Sequence, residues 1–224
     1  MRESNSMKIG IISDTHGLLR PEVIQALEGC EAILHGGDIN KQEIIDKLEE
    51  IAPVYVVRGN NDKEWAEQIP MSLDFELAGL RIYMTHKKKD MPTDLNAYDL
   101  VVFGHSHKYE ESIKGKTLLL NPGSCGPRRF HQAITMATAE IVDGAITVTR
   151  IDIPQKAAGK LSAGSTADLK KQIEIVIRET QKNKSPKSIA DKYGMDVELT
   201  EQIARLYLTH PGVTADGIMT KMGY

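Results

Sequence analysis

Cysteine is scarce: Cys30 and Cys125 are the only two in 224 residues. Two thiols cannot build a disulfide framework, and both read as free thiols of a reducing compartment. Long apolar runs are missing too. No stretch approaches the ~20 residues that a membrane span requires, and residues 1–6 lack the apolar centre of a secretory leader. The expectation is a soluble, cytoplasmic chain without membrane contact. A strong charge of one sign is also absent, since the net charge is −3. That argues against a nucleic-acid coat. There is no Gly-x-Ser-x-Gly run to suggest a serine nucleophile. Aromatics amount to only 5%, but 41% hydrophobic residues are enough for a sizeable core.

The charge is unevenly placed. Residues 1–155 carry 17 Lys/Arg against 23 Asp/Glu, whereas residues 156–224 carry 11 against 8. An acidic body is followed by a mildly basic tail. The body alternates strand and helix signals. Residues 8–13, 32–34 and 54–57 are short β-branched runs. Between them, Val23, Ile24 and Leu27, and then Ile44, Ile45, Leu48 and Ile51, recur at helical spacing. This βαβαβ opening predicts a parallel sheet. Residues 73–77, 80–84, 100–103, 117–120, 134–141 and 145–151 read as further strands, with hairpin turns at Ala78-Gly79 and Asp143-Gly144. Residues 155–166 have linker composition, and residues 167–224 show three or four short helical patterns.

Five polar clusters sit just past predicted strands: Ser13-Asp14-Thr15-His16-Gly17, His35-Gly36-Gly37-Asp38, Gly59-Asn60-Asn61-Asp62, Thr85-His86 and Gly104-His105-Ser106-His107. Residues beyond the carboxyl ends of parallel strands converge on one crevice. Histidine nitrogen with carboxylate oxygen suits a borderline divalent ion such as Mn, Fe, Ni, Co or Zn. Seven ligands exceed the needs of one tetrahedral ion but suit two ions sharing a carboxylate. In Asp-x-His and His-x-His, an extended backbone would point alternate residues the same way. His35 reads as a structural hydrogen-bonding residue. Lys87-Lys88-Lys89 reads as a solvated loop.

In this order the clusters resemble the signature of the calcineurin-like metallophosphoesterases. The short body and Asn121-Pro122-Gly123-Ser124 are similar to the small YfcE-like phosphodiesterase branch, to which the retromer subunit Vps29 is related. The resemblance covers residues 7–154 and implies an α/β fold, an αββα sandwich, with the helical appendage outside it. It implies that Asp14, His16 and His107 hold one metal, that Asn60, His86 and His105 hold the other, and that Asp38 bridges them. The catalytic group would be Asp38, Asn60, Asn61, Asp62 and Arg128, with the Arg128 guanidinium suited to a phosphate oxygen. The cofactors would be two divalent ions, manganese first, with Ni, Fe, Zn or Co as substitutes. The function implied is hydrolysis of a small phosphodiester by hydroxide held between the two ions. Many members carry His where this chain has Asn61. An amide cannot donate a proton to the leaving group, so poor leaving groups should turn over slowly.

Two other readings stand beside this one. The chain could be a non-catalytic, metal-binding interaction scaffold of the Vps29 type, or a nucleotide-responsive regulator acting through its tail. Residues 185–207 have the look of a helix-turn-helix. However, the presumed recognition helix carries one Arg and two Glu, which suits DNA phosphates poorly. A cap, a lid or a self-association element giving a homo-oligomer fits the tail better than nucleic acid.

Overall fold

The computed structural model describes residues 6–127, 132–154, 166–195 and 197–222. The chain divides into two compact units, one containing all ten strands and the other the last four helices.

The first unit opens with β1 (Ser6–Ile12), α1 (Pro21–Leu27), β2 (Ala32–His35), α2 (Gln42–Glu49) and β3 (Val54–Val56). It continues with β4 (Ser72–Leu77), β5 (Leu80–Thr85), β6 (Leu100–Val102), β7 (Tyr109–Lys114), β8 (Thr117–Pro122), β9 (Thr135–Val142) and β10 (Ala145–Asp152). The strands form two five-stranded sheets, ordered β10-β9-β1-β2-β3 and β4-β5-β6-β8-β7. β1, β2 and β3 run parallel, as the alternating pattern predicts, and so do β5, β6 and β8. Antiparallel β9 and β10 complete the first sheet, and β4 and β7 form the edges of the second. At the two expected hairpins, Ala78-Gly79 and Asp143-Gly144 have positive φ at both central residues. Their twist matches that of the flanking strands.

The inner faces of the sheets share one core. Ile9, Ile11 and Leu34 from the first pack with Ile82, Met84 and Val102 from the second. On the outer face of the first sheet, Val23 and Leu27 of α1 and Ile44, Ile45 and Leu48 of α2 cover Ile12 and Ile33. The second sheet is covered more thinly. Short 3-10 turns at Lys88–Asp90 and Leu95–Ala97, with Tyr98, lie over Val101, Phe103 and Leu119. The fold is therefore the αββα sandwich with its second outer layer reduced to turns. β7 carries no strand signal in the sequence. Tyr-Glu-Glu-Ser-Ile-Lys is charged because it is an edge strand, where charge discourages pairing with other chains.

The second unit contains α3 (Thr166–Gln181), α4 (Pro186–Tyr193), α5 (Val197–Thr209) and α6 (Ala215–Lys221). Ile173, Val176, Ile189, Ile203 and Ile218 form its core. Ser185 caps α4 through Ser188 N–H at 3.3 Å, and Gly194 ends it in the left-handed conformation. Buried Glu179 accepts from Lys182 at 3.0 Å and Arg178 at 3.3 Å. No described helix is long and apolar enough to cross a membrane.

Candidate metal centre

All five polar clusters follow the carboxyl ends of strands: β1, β2, β3, β5 and β6. The first two loops stay paired beyond their strands. Asp14 N–H donates to Gly37 O at 2.9 Å, His16 N–H to Asp38 O at 2.9 Å, and Gly17 N–H to Ile39 O at 2.8 Å. These ties place Asp14 and His16 beside Asp38.

The backbone here is not the extended one expected from the alternation. Asp14, His16, Asp38, His105 and His107 all have positive φ, between 45° and 70°. Asp-x-His and His-x-His converge through left-handed turns rather than through strand alternation. Each such residue costs about 1–2 kcal/mol, and strain of this kind gathers at functional sites. Glycine is required where the loops meet. A Cβ on Gly37 would lie 2.8 Å from His86 Nδ1, and one on Gly59 would lie 2.9 Å from Asp38 Cα.

Donor atoms of Asp14, His16, Asp38 and His107 all lie within 4.8 Å of one another. His107 Nε2 is 3.1 Å from Asp14 Oδ1 and 3.2 Å from His16 Nε2, and the two rings stack at 5.0 Å. Asp38 Oδ2 is 3.7 Å from His16 Nε2, and Asp38 Oδ1 is 3.5 Å from His86 Nε2. His86 and His105 meet edge to face at 5.2 Å. Asn60 is exposed and shares a cavity wall with His86. All seven ligands expected from the sequence thus lie at one edge of the sandwich.

The free valences of the cluster point inward. Asp14 Oδ2 accepts from Ser13 Oγ at 2.7 Å and His105 N–H at 3.1 Å, while buried Oδ1 faces His107 Nε2 at 3.1 Å. His86 Nδ1 donates to Gly36 O at 2.8 Å, which turns buried Nε2 into the cluster toward Asp38 Oδ1; burial works against charge on this ring, but Asp38 and Asp14 outweigh it and raise its pKa. Fixing the outer nitrogen in this way is how proteins prepare a ligating histidine. Burial works against charge on Asp14, but His107, His86 and Ser13 outweigh it and hold its pKa below the usual carboxylate value. Burial likewise opposes charge on Asp38, yet His86 and Asn61 depress its pKa. Two buried carboxylates among imidazole nitrogens, which a cation could serve in place of the ring protons, fit a divalent ion.

Several supporting roles escaped the sequence reading. Asn121 Nδ2 donates to Gly104 O at 2.8 Å and to Ser106 Oγ at 3.1 Å, fixing the loop that carries His105 and His107. Ser124 Oγ donates to Asp14 O at 2.9 Å. Asn40 Nδ2 lies 3.4 Å from His16 Nδ1, and Asn40 Oδ1 is buried without a hydrogen-bond partner. Turning this amide half round would let Oδ1 accept the Nδ1 proton and leave His16 Nε2 as a lone pair. The only sequence signal was Asn40's position two residues after Asp38.

A family model described as the calcineurin-like phosphoesterase superfamily domain matches residues 7–144. The chain belongs to that superfamily. A probable metallophosphoesterase of Methanothermobacter thermautotrophicus is 32% identical over 161 residues, covering 65% of this chain and 87% of the relative. The phosphodiesterase YfcE of Escherichia coli is 28% identical, covering 53% of this chain and 79% of its own. Among solved structures, an archaeal phosphodiesterase superposes with a TM-score of 0.52 at 25% identity, covering 65% of this chain and all of that one. Vacuolar protein sorting 29 from Cryptosporidium parvum gives a TM-score of 0.54 at 19% identity, covering 67% and 99%, and it shares the fold.

Within this phosphoesterase domain, two residues expected in the catalytic group do other work. Asp62 Oδ1 accepts from the N–H groups of Ile39 at 2.8 Å and Asn40 at 2.7 Å, and Oδ2 accepts from Gly59 N–H at 2.8 Å. Asp62 is a buried tie between the second and third loops, with both oxygens already engaged by backbone. Asn61 grips Asp38, donating from its backbone to Oδ1 at 2.8 Å and from Nδ2 to Oδ2 at 2.6 Å. Both residues position Asp38. His35 is structural, as read: Gly37 N–H donates to its Nδ1 at 3.1 Å, so Nε2 carries the proton toward Thr15 Oγ1 at 3.0 Å. Of the three lysines, Lys88 pairs with Glu110, while Lys87 lines the cavity beside His86. Arg128 and most of the expected 155–166 linker lie outside the described residues.

Proposed function

We propose that this domain hydrolyses phosphodiesters with two divalent ions. Asp14, His16, Asp38 and His107 would hold one, and Asp38, Asn60, His86 and His105 the other. The observation that carries the reading is Asp38, whose two oxygens face different histidines, His16 at 3.7 Å and His86 at 3.5 Å. When bound, such ions supply a water of lowered pKa and positive charge for the phosphoryl oxygens.

The chain's own residues prepare that chemistry. Asp14 and Asp38 are held in the charged form. The Gly36 carbonyl keeps His86 Nε2 turned inward. Asn61 and Asp62 fix the loops around Asp38. Arg58 and Lys87 set positive charge on the wall next to His86, where an anionic ester would approach. Asn61 offers no proton to a departing alkoxide, so activated aryl diesters should react faster than alkyl diesters. The relatives called phosphodiesterases in Methanocaldococcus jannaschii and Escherichia coli support the choice of diesters. Manganese is the first expectation, although the N/O donor set also accepts Ni, Fe, Zn and Co.

Metal-stripped protein, reloaded separately with Mn²⁺, Ni²⁺, Zn²⁺ or Mg²⁺, is assayed on bis(p-nitrophenyl) phosphate. Metal-dependent release that is absent in His86→Ala supports the proposal. No release from protein that binds two ions overturns it in favour of a scaffold.

A further inference from the structure

A cavity of about 250 Å³ opens beside His86 and Asn60, next to the second proposed metal position. Met71, which precedes β4, is 63% exposed there with its thioether side chain uncovered. Tyr83 of β5 forms another wall, and its ring is steadied from the side by Tyr98 at 5.3 Å. Arg58 is fixed at one margin, donating to Asp62 O at 3.2 Å and Lys63 O at 3.3 Å. Lys87 lies at the margin next to His86, and Ser72 and Asp90 complete the rim.

These features select an occupant. Sites for drug-sized ligands occupy roughly 300–1,000 Å³, so this one holds a single ring system rather than a long acyl chain. A flat ring suits a site walled by a polarisable methionine and a tyrosine. The Asp90 carboxylate opposes a second anionic group. Arg58 and Lys87 add positive charge to the same lining as His86, which suits a phosphate that reaches from the ring to His86. We infer that this cavity is the subsite for an uncharged aromatic or heteroaromatic arm of the substrate, esterified to the reacting phosphate. The inference rests on the phosphodiesterase reading and narrows it to diesters with one aromatic arm, nucleoside-like arms included.

The test uses phosphonates, whose P–C bond the enzyme cannot hydrolyse. Phenylphosphonate and methylphosphonate are titrated calorimetrically into metal-loaded protein of known metal content. Phenylphosphonate should bind roughly tenfold more tightly, the order of one good aromatic contact. In Met71→Ser, a substitution at an exposed site, the ratio of the two affinities should fall toward one, and Tyr83→Ser should act the same way. 4-Carboxyphenylphosphonate should lose the advantage and recover it in Asp90→Ala. Equal affinities in the unmodified protein, no binding of either compound, or a ratio that survives Met71→Ser would overturn the inference. Because binding is read without turnover, a surviving aryl preference in a protein that hydrolyses nothing would sink the catalytic reading and leave the subsite standing.

Discussion

Asp62→Asn separates a positioning residue from a catalytic one. The change is nearly isosteric and removes one charge. In the native loops, Asp62 accepts three backbone N–H groups at 2.7–2.8 Å. Asparagine can still offer one oxygen to Ile39 and Asn40, but as a neutral acceptor. Its Nδ2 would face Gly59 N–H, donor against donor, in a buried setting. Hydrogen bonds to a charged group are worth about 1.5–3 kcal/mol and neutral ones about 0.5–1.5. Two weakened bonds, at about 1 kcal/mol each, and one lost bond therefore cost roughly 4–5 kcal/mol in all. That is a large share of the 5–15 kcal/mol typical of a domain. The third loop should loosen around Asp38, so metal affinity should fall along with stability. Urea unfolding of metal-free protein and metal retention after dialysis would both be measured. Unchanged stability and metal content with lost hydrolysis would refute the argument and return Asp62 to the catalytic group.

Asn40→Ala should weaken metal retention by about 10–100-fold through His16, the usual scale for an outer partner of a ligating histidine; unchanged competition with a chelator would contradict this. Burial lowers the His35 pKa from 6.5 to about 4. Below its unfolded value, the unfolded chain takes up a proton that the folded chain refuses, so stability is lost as pH falls from 6.5 toward 4. Between pH 7.5 and 5.5 the loss should be roughly 1.4 kcal/mol, one pKa unit's worth. The metal-free protein should show this loss relative to His35→Gln, and parallel pH profiles would refute it. Asn61→His places a proton donor beside Asp38 and should raise hydrolysis of alkyl diesters at least about tenfold; no gain with metal content intact would count against the leaving-group argument.

β1, β2 and β6 were legible because they are short apolar runs buried on both faces, and the helices because their apolar residues recur on one side. β7 was not legible, since an edge strand is read by its pairing with β8 and not by its own composition. The donor types were legible in Asp14, His16, Asp38, His86, His105 and His107, which carry unusual chemistry in ordered clusters. Their backbone was not: left-handed φ at five of these positions arises from loop-to-loop ties such as His16 N–H to Asp38 O, which join residues far apart in sequence. The same reason hid the work of Asp62 and Asn61. A motif places both next to Asn60, but only the third dimension shows that their hydrogen bonds run to residues 38–40 and 59. Asn121 was legible only as part of the Asn-Pro-Gly-Ser motif, not in its work on the 104–107 loop, and Met71 gave no signal, because an amide or a methionine in a loop is ordinary until its neighbours are known.

Anomalous diffraction from crystals of the manganese-loaded protein decides whether Asp38 joins two ions. Two manganese peaks are expected, one among Asp14, His16, Asp38 and His107 and one among Asp38, Asn60, His86 and His105, with Asp38 touching both. A single peak, or two peaks that do not share Asp38, would contradict it.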